Sequence, residues 1–89
     1  MLFRSIYTLS LHDALPIYIF TPANIVVAVG TTVTWTWSPN VTTHNVVFSD
    51  GAKSPDQSAG TFTRTFSAAG TFNYSCTLHS GMNGTVKVQ

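Results

Sequence analysis

The run Val33-Thr34-Trp35-Thr36-Trp37 alternates without a break between Gly30-Thr31-Thr32 and Ser38-Pro39-Asn40. Side chains along a strand point to opposite faces in turn, so Val33, Trp35 and Trp37 share one face and the two threonines the other. Two indoles on one face of a short strand demand an apolar layer across from them, since each carries roughly 150–250 Å² to bury. A lone hairpin cannot meet that demand. A chain of 89 residues can build one such core and no second domain.

The other apolar positions are spaced to provide the layer. Ile25 to Val29 reads as a strand, after a turn-like stretch Phe20-Thr21-Pro22-Ala23-Asn24 in which Pro22 bars a central-strand role. His44 to Phe48 is the next strand, followed by a loop from Ser49 to Gly60 rich in Gly, Ser, Pro and Asp. Thr61 to Phe66 carries Phe62 and Phe66 at even spacing, with Arg64 between them, which points to a bulge or to a guanidinium reaching past the rings. After the turn Ser67-Ala68-Ala69-Gly70, the strand Thr71 to Cys76 sets Phe72, Tyr74 and Cys76 on one face. Gly84 to Val88 closes the chain with both valines inward. No stretch has a useful helical period. Short strands at this spacing predict an all-β sandwich or barrel.

Composition removes several functions. Charged residues make up 8% of the chain and the net charge is +1, so there is no basic stripe for nucleic acid and no acidic tail. The longest clean apolar run, Ile25 to Val29, is far too short to span a bilayer. One cysteine permits neither an intrachain disulfide nor a Cys-rich zinc site. A domain this small benefits from a staple, and a metal can be one.

Residues 1–17 stand apart. Arg4 near the start suggests a signal peptide, but His12 and Asp13 interrupt what should be its apolar centre, and no small-residue cleavage site precedes Tyr18. A helix over Ile6 to Leu15 has little support from its β-branched and aromatic residues and from Pro16. The stretch Ile6 to Ile17 instead resembles the conceptual translation of a widely used sequencing adapter. Leu2-Phe3-Arg4-Ser5 resembles the end of the same adapter in another frame. The expectation is therefore a non-native segment at 1–17 that packs poorly and can be deleted without loss, followed by a domain at 18–89. On this reading the first strand is truncated or replaced, the native N-terminus is missing, and His12 and Asp13 belong to no site.

The chemistry concentrates in Tyr74-Ser75-Cys76-Thr77-Leu78-His79-Ser80-Gly81-Met82-Asn83-Gly84. Cys76 ends a strand on the core face, and His79 and Met82 follow on a tight loop. Thiolate, imidazole and thioether within seven residues suit a soft or borderline cation, and the loop holds no carboxylate for a hard one. Outside the excluded segment the one other histidine is His44, at the start of a strand. Taken singly, Cys76 reads as a small buried hydrophobe, His44 as a hydrogen-bonded strand end and Met82 as gap filler. Taken jointly, their order and strand context favour a metal centre.

Three segments carry a family resemblance: Thr43-His44-Asn45-Val46-Val47-Phe48, Ala69 to Cys76, and Cys76 to Val88. They resemble the copper-site segments of the small blue copper proteins, the plastocyanin/amicyanin branch of the cupredoxins, and Phe20 to Trp35 is similar to their early strands. The resemblance covers nearly all of 18–89 and implies a Greek-key β-sandwich holding one type 1 copper ion. It implies that His44, Cys76 and His79 are the strong ligands and Met82 the weak axial one. Asn45 then matches the asparagine that ties the first ligand strand to the cysteine loop. The two-residue gap between His79 and Met82 is similar to the short amicyanin loop. Leu78 departs from the family, many members of which carry proline between the residue matching Thr77 and the histidine. Leu78, Gly81 and Pro39 are candidate members of an apolar patch around His79.

The resemblance implies a one-electron carrier rather than an enzyme: a monomer in a periplasmic or secreted compartment, docking transiently with redox partner proteins. Copper oxidases and nitrite reductases need further histidines that this chain lacks. A copper storage module, or an immunoglobulin-like domain with a vestigial site, is the competing function. Three triplets, at Asn40, Asn73 and Asn83, match the glycosylation pattern and read as incidental.

Overall fold

A computed structural model describes residues 6–14, 17–39 and 41–89. The adapter-like stretch Leu2 to Ser5, together with Leu15, Pro16 and the Asn40 triplet's asparagine, lies outside the described residues. Among the described residues there are eight strands and no helix: β1 Ile6–Ala14, β2 Ile17–Thr21, β3 Asn24–Val27, β4 Thr32–Trp37, β5 Val47–Phe48, β6 Thr61–Thr65, β7 Gly70–Ser75 and β8 Asn83–Val88. They form two four-stranded sheets, ordered β2-β1-β4-β6 and β3-β8-β7-β5. The pairs β1–β4 and β3–β8 are parallel and the others antiparallel. This is the all-β sandwich that the strand spacing predicts.

The alternation in β4 holds residue by residue. Val33, Trp35 and Trp37 are buried while Thr32, Thr34 and Thr36 are half-buried. Trp35 is fully enclosed and meets Phe48 and Tyr74 of the facing sheet edge-on, at ring-centroid distances of 5.6 and 5.4 Å. Edge-to-face contacts of this kind add to the area buried because ring edges are positive and faces negative. Burial also pushes the Tyr74 phenol up to about 12, so it stays a neutral donor to the Ala23 carbonyl at 3.3 Å. Gly84 pairs opposite Tyr74, and a Cβ there would meet the Tyr74 ring and stand 2.6 Å from the Ala23 carbonyl oxygen. No larger residue fits.

The expectation that residues 1–17 pack poorly is corrected for the described strand Ile6–Ala14. Ile6–Ala14 lies between β2 and β4, in parallel register with β4, so that Leu9 pairs beside Trp35 and Leu11 beside Trp37. Leu9 and Leu11 are 2% and 0% exposed. The physical reason is in the segment's own pattern: Tyr7, Leu9 and Leu11 alternate with Thr8, Ser10 and His12, which is the period a half-buried strand requires. His12 stays out of the core, bonded through its two ring nitrogens to the Ser10 and Ser38 hydroxyls.

Other boundaries shift by a few residues. The stretch Phe20 to Asn24, read as a turn, begins with the last two residues of β2, which ends at the cis Thr21–Pro22 bond where the chain crosses between sheets. The strand expected over Ile25 to Val29 stops at Val27, and Val29 is exposed. Of the strand expected from His44 to Phe48, Val47–Phe48 alone pairs with β7. Arg64 makes no bulge: it pairs in register with Val33, and its guanidinium lies 4.5–5.1 Å from the ring centroids of Phe48, Phe66 and Phe72. Two hydrogen bonds to Asp50, at 2.6 and 3.2 Å, fix it there and hold the Asp50 carboxyl below its usual range.

Leu11→Ala should destabilise the protein by about 2–5 kcal/mol, the range for deleting a buried leucine side chain. Urea denaturation followed by tryptophan fluorescence measures it. A loss below about 0.5 kcal/mol would show that β1 is not part of the core.

Candidate metal centre

Two chain segments far apart in sequence meet at one end of the sandwich. The first follows β4. Its backbone runs beside the Ser49–Gly60 loop, with His44 and Gln57 exchanging N–H···O bonds of 2.9 and 3.0 Å. Val46 and Ser54 add two more of 2.8 Å. The loop that looks irregular in sequence therefore acts as the edge partner of the ligand-bearing segment. His44 is 0% exposed.

The second segment is the turn from β7 to β8. Cys76 N–H donates to the Met82 carbonyl at 2.9 Å, closing the loop at its base. Within it, His79 N–H reaches the Cys76 carbonyl at 3.4 Å and Met82 N–H the His79 carbonyl at 3.3 Å. Gly81 takes φ +84°, a conformation that side chains disfavour, and so lets the chain double back within six residues. Cys76 and Met82 are buried, His79 is half-buried, and Leu78 projects outward at 45% exposure.

These elements bring His44, Cys76 and His79 together, each with one ligating atom within 4.8 Å of the others. The Cys76 sulfur lies 3.7 Å from His44 Nδ1 and 3.5 Å from His79 Nδ1. The two imidazoles stand 4.6 Å apart at 54°. Donors bonded to one shared ion at about 2.0–2.3 Å fall at such separations. The donor set is one thiolate and two imidazoles with no carboxylate, which suits copper over a hard cation.

Asn45 joins the two segments. Its side-chain oxygen accepts the Thr77 N–H at 2.8 Å, and its amide nitrogen donates to Thr77 Oγ1 at 2.8 Å and Asp56 Oδ1 at 2.9 Å. Its own backbone N–H points at the Cys76 sulfur, 3.5 Å away.

Comparison with known proteins decides what such a centre belongs to. A family model described as copper binding proteins of the plastocyanin/azurin family matches residues 13–89. The chain belongs to that family. Halocyanin from Natronomonas pharaonis is 41% identical over 80 residues, covering 81% of this chain and 49% of the relative, so the chain spans about half that relative's length. Among solved structures, a purple cupredoxin from Nitrosopumilus maritimus superposes with TM-score 0.78 at 27% identity, over 93% of this chain and 99% of that one. An oxidised amicyanin variant gives TM-score 0.80 at 29% identity, over 93% and 81%. Plastocyanin from Dryopteris crassirhizoma gives 0.77 at 26%, over 92% and 99%. The residues of this cupredoxin fit a single type 1 copper ion.

Two residues at the centre escape a reading of the sequence. Tyr18 stacks on His79 with ring centroids 4.1 Å apart at 27° and meets His44 edge-on at 5.8 Å. Its position beside an apparently foreign segment hid it. Asp56 had no signal at all, being one more polar residue in a polar loop. Of the candidate patch, Leu78, Gly81 and Pro39 are all exposed.

Asn45→Ala should destabilise the metal-free protein by about 1–3 kcal/mol, because the Thr77 N–H loses its partner at the loop base. Thermal or urea melts in the presence of a chelator measure this. An unchanged melt would mean that the tie contributes nothing to the fold.

Proposed function

We propose that this cupredoxin is a one-electron carrier whose copper is held by His44, Cys76, His79 and Met82. Bound copper supplies the Cu(II)/Cu(I) couple. The observation that carries the reading is the pair of imidazole nitrogens facing one cysteine sulfur at 3.5 and 3.7 Å, on a scaffold that fixes all three. Cys76 as thiolate, with His44 and His79, would hold the ion strongly, and buried Met82 would add a weak thioether. Held between two sheets, these groups move little when the charge at the centre changes, so little reorganisation opposes transfer. Solved amicyanins have been described in reduced Cu(I) and oxidised forms, which supports the cycle by likeness.

Of the four proposed ligands, His79 alone is partly exposed. Its outer edge is the proposed electron exit, with Leu78 beside it as the apolar contact for redox partner proteins that dock transiently. Among the described residues no helix is long and apolar enough to cross a membrane. A monomer working in an extracytoplasmic compartment is the setting that the family suggests. The division into an adapter-like segment at 1–17 and a copper-binding domain at 18–89 is likewise proposed. An independent read of the gene upstream of Tyr18 tests it.

Copper(II) added to the folded protein should give an intense visible thiolate-to-copper band that ascorbate bleaches. Cys76→Ser should abolish the band. Met82→Leu should keep it and raise the reduction potential, since loss of the thioether weakens binding of the oxidised ion more than the reduced. If Met82→Leu lost all copper binding, the axial role would be wrong. A folded wild type with no band would sink the carrier reading.

A further inference from the structure

Asp56 lies in the Ser49–Gly60 loop, outside the donor cluster. The backbone bonds from Ser54 to Val46 and between Gln57 and His44 bring the loop alongside the ligand segment and set Asp56 opposite Asn45. A primary amide offers two N–H donors at one end and an oxygen at the other. In Asn45 the oxygen faces the Thr77 N–H, and the nitrogen faces Thr77 Oγ1 and Asp56 Oδ1. The Thr77 hydroxyl can donate or accept, so it tolerates either orientation of the amide. An ionised carboxylate accepts only. Turning the amide over would set oxygen against Asp56 and N–H against the Thr77 N–H, two repulsive pairs in place of two bonds.

Asn45 is 4% exposed, so water cannot readily replace a lost partner at the buried end. The orientation matters to the metal centre because Thr77 follows Cys76 directly, and the Asn45 backbone N–H itself meets the Cys76 sulfur. Asp56 is thus one contact removed from the loop base and two from the thiolate.

We propose that Asp56 is a positioning residue for the copper centre: its carboxylate locks the Asn45 amide in one orientation and thereby holds Thr77 and the Cys76 sulfur in place. The lock rests on the hydrogen bonds alone. Its effect on copper rests on the carrier reading above.

The test compares Asp56→Ala, which removes the acceptor, with Asp56→Glu, which keeps an accept-only carboxylate at an exposed position with room for one more methylene. In the metal-free protein, hydrogen exchange at the Thr77 amide should be about five- to tenfold faster in Asp56→Ala, as loss of one hydrogen bond predicts. Asp56→Glu should restore it. In copper-loaded protein, Asp56→Ala should shift the visible band and release copper to a chelator faster by a similar factor, again with rescue by Asp56→Glu. Equal Thr77 exchange in Asp56→Ala and wild type would overturn the proposal. Failure of Asp56→Glu to rescue would overturn it too, since a carboxylate at this place would then not be what holds the amide. Faster exchange in Asp56→Ala, with no visible band in copper-treated wild type, would uphold the lock and defeat the copper reading.

Discussion

His44 and Cys76 are 32 residues apart in the chain, yet their donor atoms stand 3.7 Å apart. Neither segment alone can make a metal centre, and the Asn45 side chain bridges them by hydrogen bonds to Thr77. Two of the three bonds that the Asn45 side chain makes satisfy Thr77 at the loop base, where a lost partner would cost more than the bond itself contributes. The sandwich brings the two segments near each other. Asn45 sets the register between them, and the Ser49–Gly60 loop holds Asn45 from behind.

The opposite requirement, a rigid frame, falls to the aromatic core. Trp35 touches Phe48 and Tyr74 across the sandwich, and Phe48 meets Tyr74 and Phe66 in turn. Arg64 covers the far edge of this cluster, its guanidinium lying over three rings and paired with Asp50. A cation over aromatic faces gains more where it is partly desolvated, and the Arg64 side chain is 20% exposed. In a chain with 8% charged residues, this ion pair covers the edge of the aromatic core.

Much of this was legible in the residues and some was not. The alternation of β4 and the positions of Cys76, His79 and Met82 followed from period and spacing, because a pleated strand and a short ligand loop leave few alternatives. His44 was legible by resemblance and by the shortage of other histidines. Strand ends were not, since pairing in three dimensions decides whether Ala28 and Val29 continue a ladder. β1 was misread for another reason: its resemblance to an adapter outweighed the period of Tyr7, Leu9 and Leu11. A foreign-looking stretch and a well-packed strand are compatible, because burial depends on pattern and not on ancestry. Asp56 was invisible because a hydrogen bond between a loop and a strand leaves no local trace.

The loop's residues divide their duties by direction. Thr77 is tied to Asn45, and His79 faces the cysteine sulfur, while Leu78 between them points outward. Its side chain can therefore vary in size or polarity without touching a ligand or a hydrogen bond of the centre. A lineage carrying this loop can change what it shows to the outside, one outward substitution at a time, while the donors beneath keep their places.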